Sequence, residues 1–307
     1  GVIAAPKPIC NGVAPAAFTS TSPASGQSGT LEYKWQLSTS GATTGFNDIA
    51  SSNSAVYAPA NLSVTSWFKR LAKVTCMSNW TGAAVSNVLQ VTVRNAFVTG
   101  SISSVGESIC RNGNPGLVSS LSNATGGDGA ITYRWQSSLT SDFAAPTTIA
   151  SNSATFDPPA GLTTTTWFRR QVKDGTCNVN WTTSAGVWKV TVYNEFVAGS
   201  ISSSQIICSN SSPALLSGVA PLGGNPPYAF QWQHSINNVS FSDISGATNL
   251  NYQPGILNQT TYYRQAQTSA SGCGTVVTNT AVITVNPLLP VSVSITASAS
   301  EVCAGTT

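Results

Sequence analysis

The chain has 307 residues, 41% of them hydrophobic, enough for two or three separate cores and too many for a globally disordered polymer. Only 7% is charged, against roughly 25% in ordinary soluble proteins, and Ser with Thr supply roughly a quarter of the residues, so polarity rests on hydroxyls. A formal net charge of +3 without a basic run gives nucleic acid or an anionic membrane surface little to capture, and no run of about 18 apolar residues exists that could insert into a bilayer.

The chain opens on Gly1 with no initiator Met or signal-like apolar core, which leads to the expectation of a processed or excised piece. From there one order of landmarks recurs, and each of Gly1, Gly100 and Gly199 begins a round of it. The first round runs through Cys10, Trp35 in "YKWQ", Tyr57 in "VYAP", the phrase "TSWFKR" and Cys76, and closes on "VLQVTV". The second runs through Cys110, Trp135 in "YRWQ", Phe156 in "TFDP", "TTWFRR" and Cys177, and closes on "VWKVTV". The third runs through Cys208, Trp232 in "FQWQ", Tyr252 in "NYQP", "TTYYRQ" and Cys273, and closes on "AVITV". Units of such length that are written out repeatedly are architecture before they are chemistry.

The runs are short, rich in Val, Ile, Thr, Trp and Tyr, and separated by Gly, Pro, Asn and Ser; none has a 3.6-residue period. The predicted fold is all-β, a tandem array of immunoglobulin-like sandwich modules at residues 1–95, 96–194 and 195–286, followed by a linker and the truncated start of a fourth module, with Cys303, at 287–307. Trp35, Trp135 and Trp232 are the predicted core aromatics. Alternation puts the paired aromatics of the repeated phrase on opposite faces of their strand, one buried and one partly exposed. The linkers "RNAFVTG" and "YNEFVAG" are short, and their Phe97 and Phe196 are expected to pack into the junctions.

Seven cysteines with no C-x-x-C pair, beside a single histidine, point to disulfides in an oxidising compartment and away from zinc or redox chemistry. Two pairings suit the spacing. Bonds within modules, Cys10 to Cys76, Cys110 to Cys177 and Cys208 to Cys273, are favoured because each spans a nearly constant 65 to 67 residues. The alternative joins each second cysteine to the first cysteine of the next module and leaves Cys10 over.

No enzyme is expected. His234 stands alone, the ten carboxylates are scattered, and no phosphate-binding loop or nucleophile elbow occurs, so no catalytic, cofactor or metal residues are assigned. Asp48 in "FNDI" and Asp243 in "FSDI" are read as turn or cap residues. Lys34, Arg134, Lys69, Arg70, Arg169, Arg170 and Arg264 flank the repeated aromatics, where they could grip acidic glycans or simply cover rings on the solvent face; the second reading is preferred.

The stretches "GSISSSQIICSNSSPALLSG", "YAFQWQHSINNVSFSDISGATNLNYQPGILNQTTYYRQAQTSASGCGTVVTNTAVITV" and "NPLLPVSVSITASASEVCAGTT" resemble the Ig-like, PKD-like repeats of very large surface proteins of Bacteroidota, among them the gliding-motility adhesin and other type IX secretion cargo. The resemblance implies a structural stalk, exported to the cell surface and associated with the outer membrane, that extends a distal adhesive region and bears force in adhesion or gliding. It also implies partners met through other parts of the full protein: a surface anchor or motility machinery on one side, extracellular surfaces or glycans on the other. No catalytic residue or cofactor carries over. The alternative is a carbohydrate-binding module array of a secreted multidomain protein.

Overall fold

A computed structural model describes residues 1–4 and 7–288; the expected start of a fourth module, with Cys303, lies outside the described residues. Among these residues the chain is built of β-strands, with one 3₁₀ turn at Ala270–Gly272 and no α-helix. It forms two compact units. The first comprises Gly1–Glu107, Asn114–Ala160 and Thr165–Thr191; the second comprises Ser108–Gly113, Gly161–Thr164 and Val192 onward.

Along the first unit run β1 (Val2–Ile3), β2 (Ser20–Ser22), β3 (Leu31–Ser38), β4 (Asn47–Asp48), β5 (Ser66–Val74), β6 (Ala84–Val85) and β7 (Leu89–Val91). In one layer β3 lies between β4 and β5, and β6 and β7 pair with the outer side of β5. The antiparallel pair β1–β2 and the bridges Val13↔Leu62 and Phe18↔Tyr57 supply the facing layer. On β5 the alternation turns Ser66, Phe68, Arg70 and Ala72 inward, while Trp67 and Lys69 stay half-exposed. Between the layers Ile3, Phe18, Trp35, Phe68, Leu89 and Val91 form one core, joined by Tyr57 and Leu62. Phe18 lies edge-on to Phe68 at 4.9 Å and tilted against Trp35 at 5.8 Å, and burying each such ring contributes roughly 1.5–3 kcal/mol.

The second sequence repeat contributes β8 (Ser101–Ile102), β9 (Glu107–Ile109), β10 (Ser120–Ser122), β11 (Thr132–Ser138), β12 (Thr147–Ile149), β13 (Thr166–Lys173), β14 (Thr182–Thr183) and β15 (Trp188–Val192). β11 again lies between its short neighbour β12 and the long β13, and β8 pairs with β10. Trp135, fully buried, stacks on Phe156 at 5.2 Å, and Phe156 meets the buried Phe168 at 5.5 Å.

In the second unit β16 (Gln205–Cys208), β17 (Tyr228–Ser235), β18 (Ser242–Asp243), β19 (Thr261–Ser269), β20 (Thr275–Val277) and β21 (Ala281–Asn286) form a sheet in the order β16-β21-β19-β17-β18, with β20 also on β19. Leu216, Trp232, Tyr263, Ala281 and Ile283 are buried against Tyr252 and Leu257, which come from the facing bridges Leu216↔Tyr252 and Ser211↔Leu257. The three predicted tryptophans are therefore core residues with no exposed surface, and each indole N–H donates to a backbone carbonyl, that of Ser54, Ser153 or Asn249. This is the tandem immunoglobulin-like sandwich architecture expected from the alternation.

The disulfides differ from the expected pairing. Cys10 bonds Cys177 in the first unit, and Cys110 bonds Cys273 in the second, with Cα separations of 5.5 and 5.3 Å; Cys76 and Cys208 are exposed free thiols. Neither the within-module scheme nor its alternative holds. The physical reason is strand direction. Cys10 follows Ile9, which bridges Val93 in parallel, so it lies where the last strand of its repeat ends. Ser66, at the start of β5, pairs with Val91 at that same end, whereas Cys76 lies two residues past the far end of β5. Nine residues of strand, about 30 Å at roughly 3.3 Å each, separate the two cysteines of the first repeat. A constant spacing within repeats is a property of any repeat-to-repeat pairing and did not discriminate.

Candidate functional site

The two disulfides define two joints of like construction. At the first, the Ile9–Val93 bridge is closed by hydrogen bonds from Ile9 N to Thr92 O and from Arg94 N to Ile9 O, which carries Arg94 and Asn95 past Cys10. Gly127 N donates to Asn95 O at 2.9 Å, and Gly126, at φ +78°, comes so close to the Ala96 carbonyl that a Cβ would collide with it. Phe97 sits beside Gly127, as expected for a junction residue.

Cys177 is presented by a loop folded around one carboxylate. Asp174, 2% exposed, accepts the backbone N–H groups of Thr176, Cys177 and Asn178 on one oxygen and that of Asp128 on the other. Burial opposes its charge, but these four donors outweigh burial and hold the carboxyl below the usual aspartate value. The Arg94 guanidinium approaches Asp128 at 3.7 Å and completes the joint.

At the second joint Tyr193 N donates to Ile109 O beside Cys110, Gly224 N donates to Asn194 O at 2.9 Å, and Gly223, at φ +70°, lies against the Glu195 carbonyl. Phe196 stacks on Tyr228 at 5.9 Å with an interplanar angle of 18°. Where the first joint has Asp174, a neutral Ser269 accepts from Asn225 N at 2.7 Å. Beside the disulfide is an open cleft of about 220 Å³ lined by Arg111, Asn112, Asn194, Glu195 and Phe196. The backbone geometry thus recurs where the side-chain chemistry does not.

The basic side chains divide into two classes that the sequence did not separate. Lys69, Arg169 and Arg264 cap Phe46, Phe143 and Phe241 at 4.1, 4.2 and 4.0 Å, once per repeat. Lys34 and Lys73 flank Trp80, and Arg134 and Lys173 flank Trp181. Arg70 and Arg170, by contrast, are buried at 2% and 0% exposure. Arg170 donates to the hydroxyls of Ser184 and Ser120 and to carbonyls of Ala154 and Ser122, and no carboxylate takes part. Burial lowers the guanidinium pKa, with Tyr133 opposing the shift. These two residues belong to the core, not to a surface cover.

Asp48 is a strand residue rather than a turn residue: it pairs across from Gln36 and accepts from Lys34 and Gln36, each at 2.7 Å. Asp243 pairs with Gln233 in the same way. His234 borders an open cleft with Ile256, Leu257, Asn258 and Gln259, and none of the residues lining it is acidic. Among the described residues no group of three or more His, Cys, Asp or Glu is placed to hold a metal ion, and no helix is long and apolar enough to cross a membrane.

Against known families, the model described as Domain of unknown function (DUF8696) matches three times, at residues 1–95, 98–194 and 197–287. No curated protein matches the sequence. Similar solved structures include mouse Cadherin-23 EC22-24, at 10% identity and TM-score 0.45 over 91% of this chain and 93% of that one. Sidekick-1 immunoglobulin domains 1-4 match at 14% and 0.29 over 92% and 72%, and the insect immune protein hemolin at 10% and 0.33 over 93% and 77%.

Proposed function

The chain belongs to that family of unknown function in three consecutive copies, and from this premise we propose that it is a stalk segment of a secreted bacterial surface adhesin, holding a distal adhesive region away from the cell and carrying load in adhesion or gliding. One observation carries the reading: the disulfides do not close repeats on themselves but overlap. From Cys10 to Cys273 the polypeptide runs 263 residues, yet through the two bonds the shortest covalent path is the 67 residues from Cys110 to Cys177. A fully extended chain spans about 3.5 Å per residue, so full unfolding lengthens this stretch to about 240 Å instead of about 920 Å. Such a limit serves tension and has no role in turnover. Disulfides also suit the oxidising exterior in which an adhesin works.

Cation-capped rings in all three repeats favour the stalk over a glycan-binding array, which needs a bare aromatic platform. Single-molecule stretching between the chain ends tests the proposal. The stalk reading expects the short extension in oxidising buffer and the long one after reduction; a chain that reaches the long extension while oxidised ends it. A glycan array on the same protein is expected to be blank, and reproducible binding to one glycan class would move the assignment to the carbohydrate-binding alternative.

A further inference from the structure

We propose that the outer face of the second repeat's sheet, carrying Arg134, Arg169, Lys173 and Lys189, is a docking site for an acidic, extended segment of a partner protein. The inference goes beyond the stalk reading, which needs no lateral partner. Alternation turns Trp167, Arg169 and Lys173 of β13 and Arg134 of β11 away from the core that holds Trp135, Phe168 and Val172. Lys189 of β15 pairs across from Trp167 and extends the row. None of the strands β11 to β15 contains an acidic residue, and among the described residues none of the four cations is in an ion pair. Glu107, on the edge strand β9, is committed to Gly116 N and the Trp188 indole, and Asp142 to the Thr140 hydroxyl and Ala144 N.

The first repeat shows what is missing. It has Lys34, Lys69 and Lys73 at the register positions of Arg134, Arg169 and Lys173, but there Asp48 meets Lys34 at 2.7 Å and Glu32 meets Lys73 at 2.6 Å. In the second repeat Thr148 replaces Asp48 across from the glutamine, and Thr132 replaces Glu32 across from the lysine. The counter-charges are gone while the cations stay, and Lys189 stands where the first repeat has Gln90. The third repeat keeps only Arg264, whose partner Gln233 also holds Asp243. A face of one sign repels itself and attracts a partner of the other. Its two guanidiniums are also held ready: Arg169 Nε donates to Gln136 Oε1 at 2.7 Å and Arg134 Nε to Gln171 Oε1 at 2.8 Å, both glutamines being buried, while Phe143 and Trp181 back the planes. That leaves the Nη pair of each for the two oxygens of a carboxylate. Arg134 and Arg169 are diagonal neighbours on paired strands, about 7–8 Å apart, close to the roughly 7 Å between alternate side chains of an extended peptide. Trp167 and Trp181 already carry cations and offer a sugar no bare ring, so acidic polypeptide fits this face better than acidic polysaccharide.

The test follows fluorescence anisotropy of a labelled peptide of alternating Glu and Thr on the whole chain, beside a peptide of alternating Gln and Thr and with polygalacturonate as competitor. Saturable binding of the Glu peptide alone is expected, lost at about 0.5 M salt. Arg134→Gln and Arg169→Gln should each weaken it about tenfold. Thr132→Glu with Thr148→Asp gives the second repeat the acids of the first, removes no cation, and is expected to abolish binding while the melting temperature holds or rises. Glu32→Thr with Asp48→Thr should in turn create a second, weaker site on the first repeat. No saturable binding of the Glu peptide, or binding that survives Thr132→Glu with Thr148→Asp, would overturn the proposal. Polygalacturonate binding more tightly than the peptide would overturn the choice of a protein partner.

Discussion

Arg170 is a charged side chain with no exposed surface and only neutral oxygens around it. Truncating it leaves a cavity and several carbonyls without donors, so Arg170→Ala is expected to lower unfolding free energy by about 3–5 kcal/mol in urea titrations. Arg170→Gln should recover part of this, because Gln265 fills the corresponding place in the third repeat and donates to the Asn249 and Leu250 carbonyls. The sequence held the clue, since alternation puts the residue two after a buried aromatic on the same face, and Arg70 follows Phe68 as Arg170 follows Phe168. Beside repeated aromatics a guanidinium is expected to cover rings on the solvent face, and the burial of Arg70 and Arg170 departs from that because hydroxyls and backbone carbonyls meet the guanidinium inside the sandwich. Tyr263 shows the opposite electrostatic case: burial, with a smaller contribution from Tyr252, raises its phenol to about 12. Its folded value lies above the unfolded value near 10, so stability is intact below pH 10 and falls as pH rises toward 12, by an amount on the order of 1–3 kcal/mol. Tyr263→Phe should flatten that alkaline loss in thermal melts, and an unchanged slope would mean the phenol is not the group responsible.

At the level of elements, the long strands were legible because their two-residue period survives on both faces: Phe68, Phe168 and Tyr263 are buried while Trp67, Trp167 and Tyr262 are half-exposed. The joints were not, because what builds them is backbone. Asp174 and Ser269 do the same work with different chemistry, and the linkers differ at Ala96 and Glu195. The glycines recur, and with them Phe97 and Phe196, which lie against Gly127 and Gly224 and were the legible part of the joints. Gly126→Val is expected to destabilise the first unit by about 1–3 kcal/mol, since it meets both an unfavourable φ and the Ala96 carbonyl, whereas Gly129→Val, at similar φ but with open space, should cost only the backbone strain. Calorimetry on the pair separates the contact from the conformation. The cysteines misled for a related reason: spacing along a chain reports loop length, and the ends of β5 report distance, and only the second decides whether two sulfurs can meet.

For the molecule as a whole, three family copies were readable from the recurrence of Cys, Trp and the paired aromatics, but the way the copies are fastened was not, because every repeat-to-repeat scheme has equally regular spacing. Closing loops of 167 and 163 residues restrains the unfolded chain by about 5 kcal/mol for one such bond in the loop-entropy treatment, with the second contributing less because the loops share residues 110–177. The overlap has one more consequence, and it concerns damage. An extracellular protease that hydrolyses any single peptide bond between Cys10 and Cys273 leaves its two fragments tied by at least one bridge, and by two when the nick falls between Cys110 and Cys177. Limited digestion should therefore yield cut molecules that still migrate as one species until a reductant is added, and a tether exposed to hostile surroundings would survive its first wound.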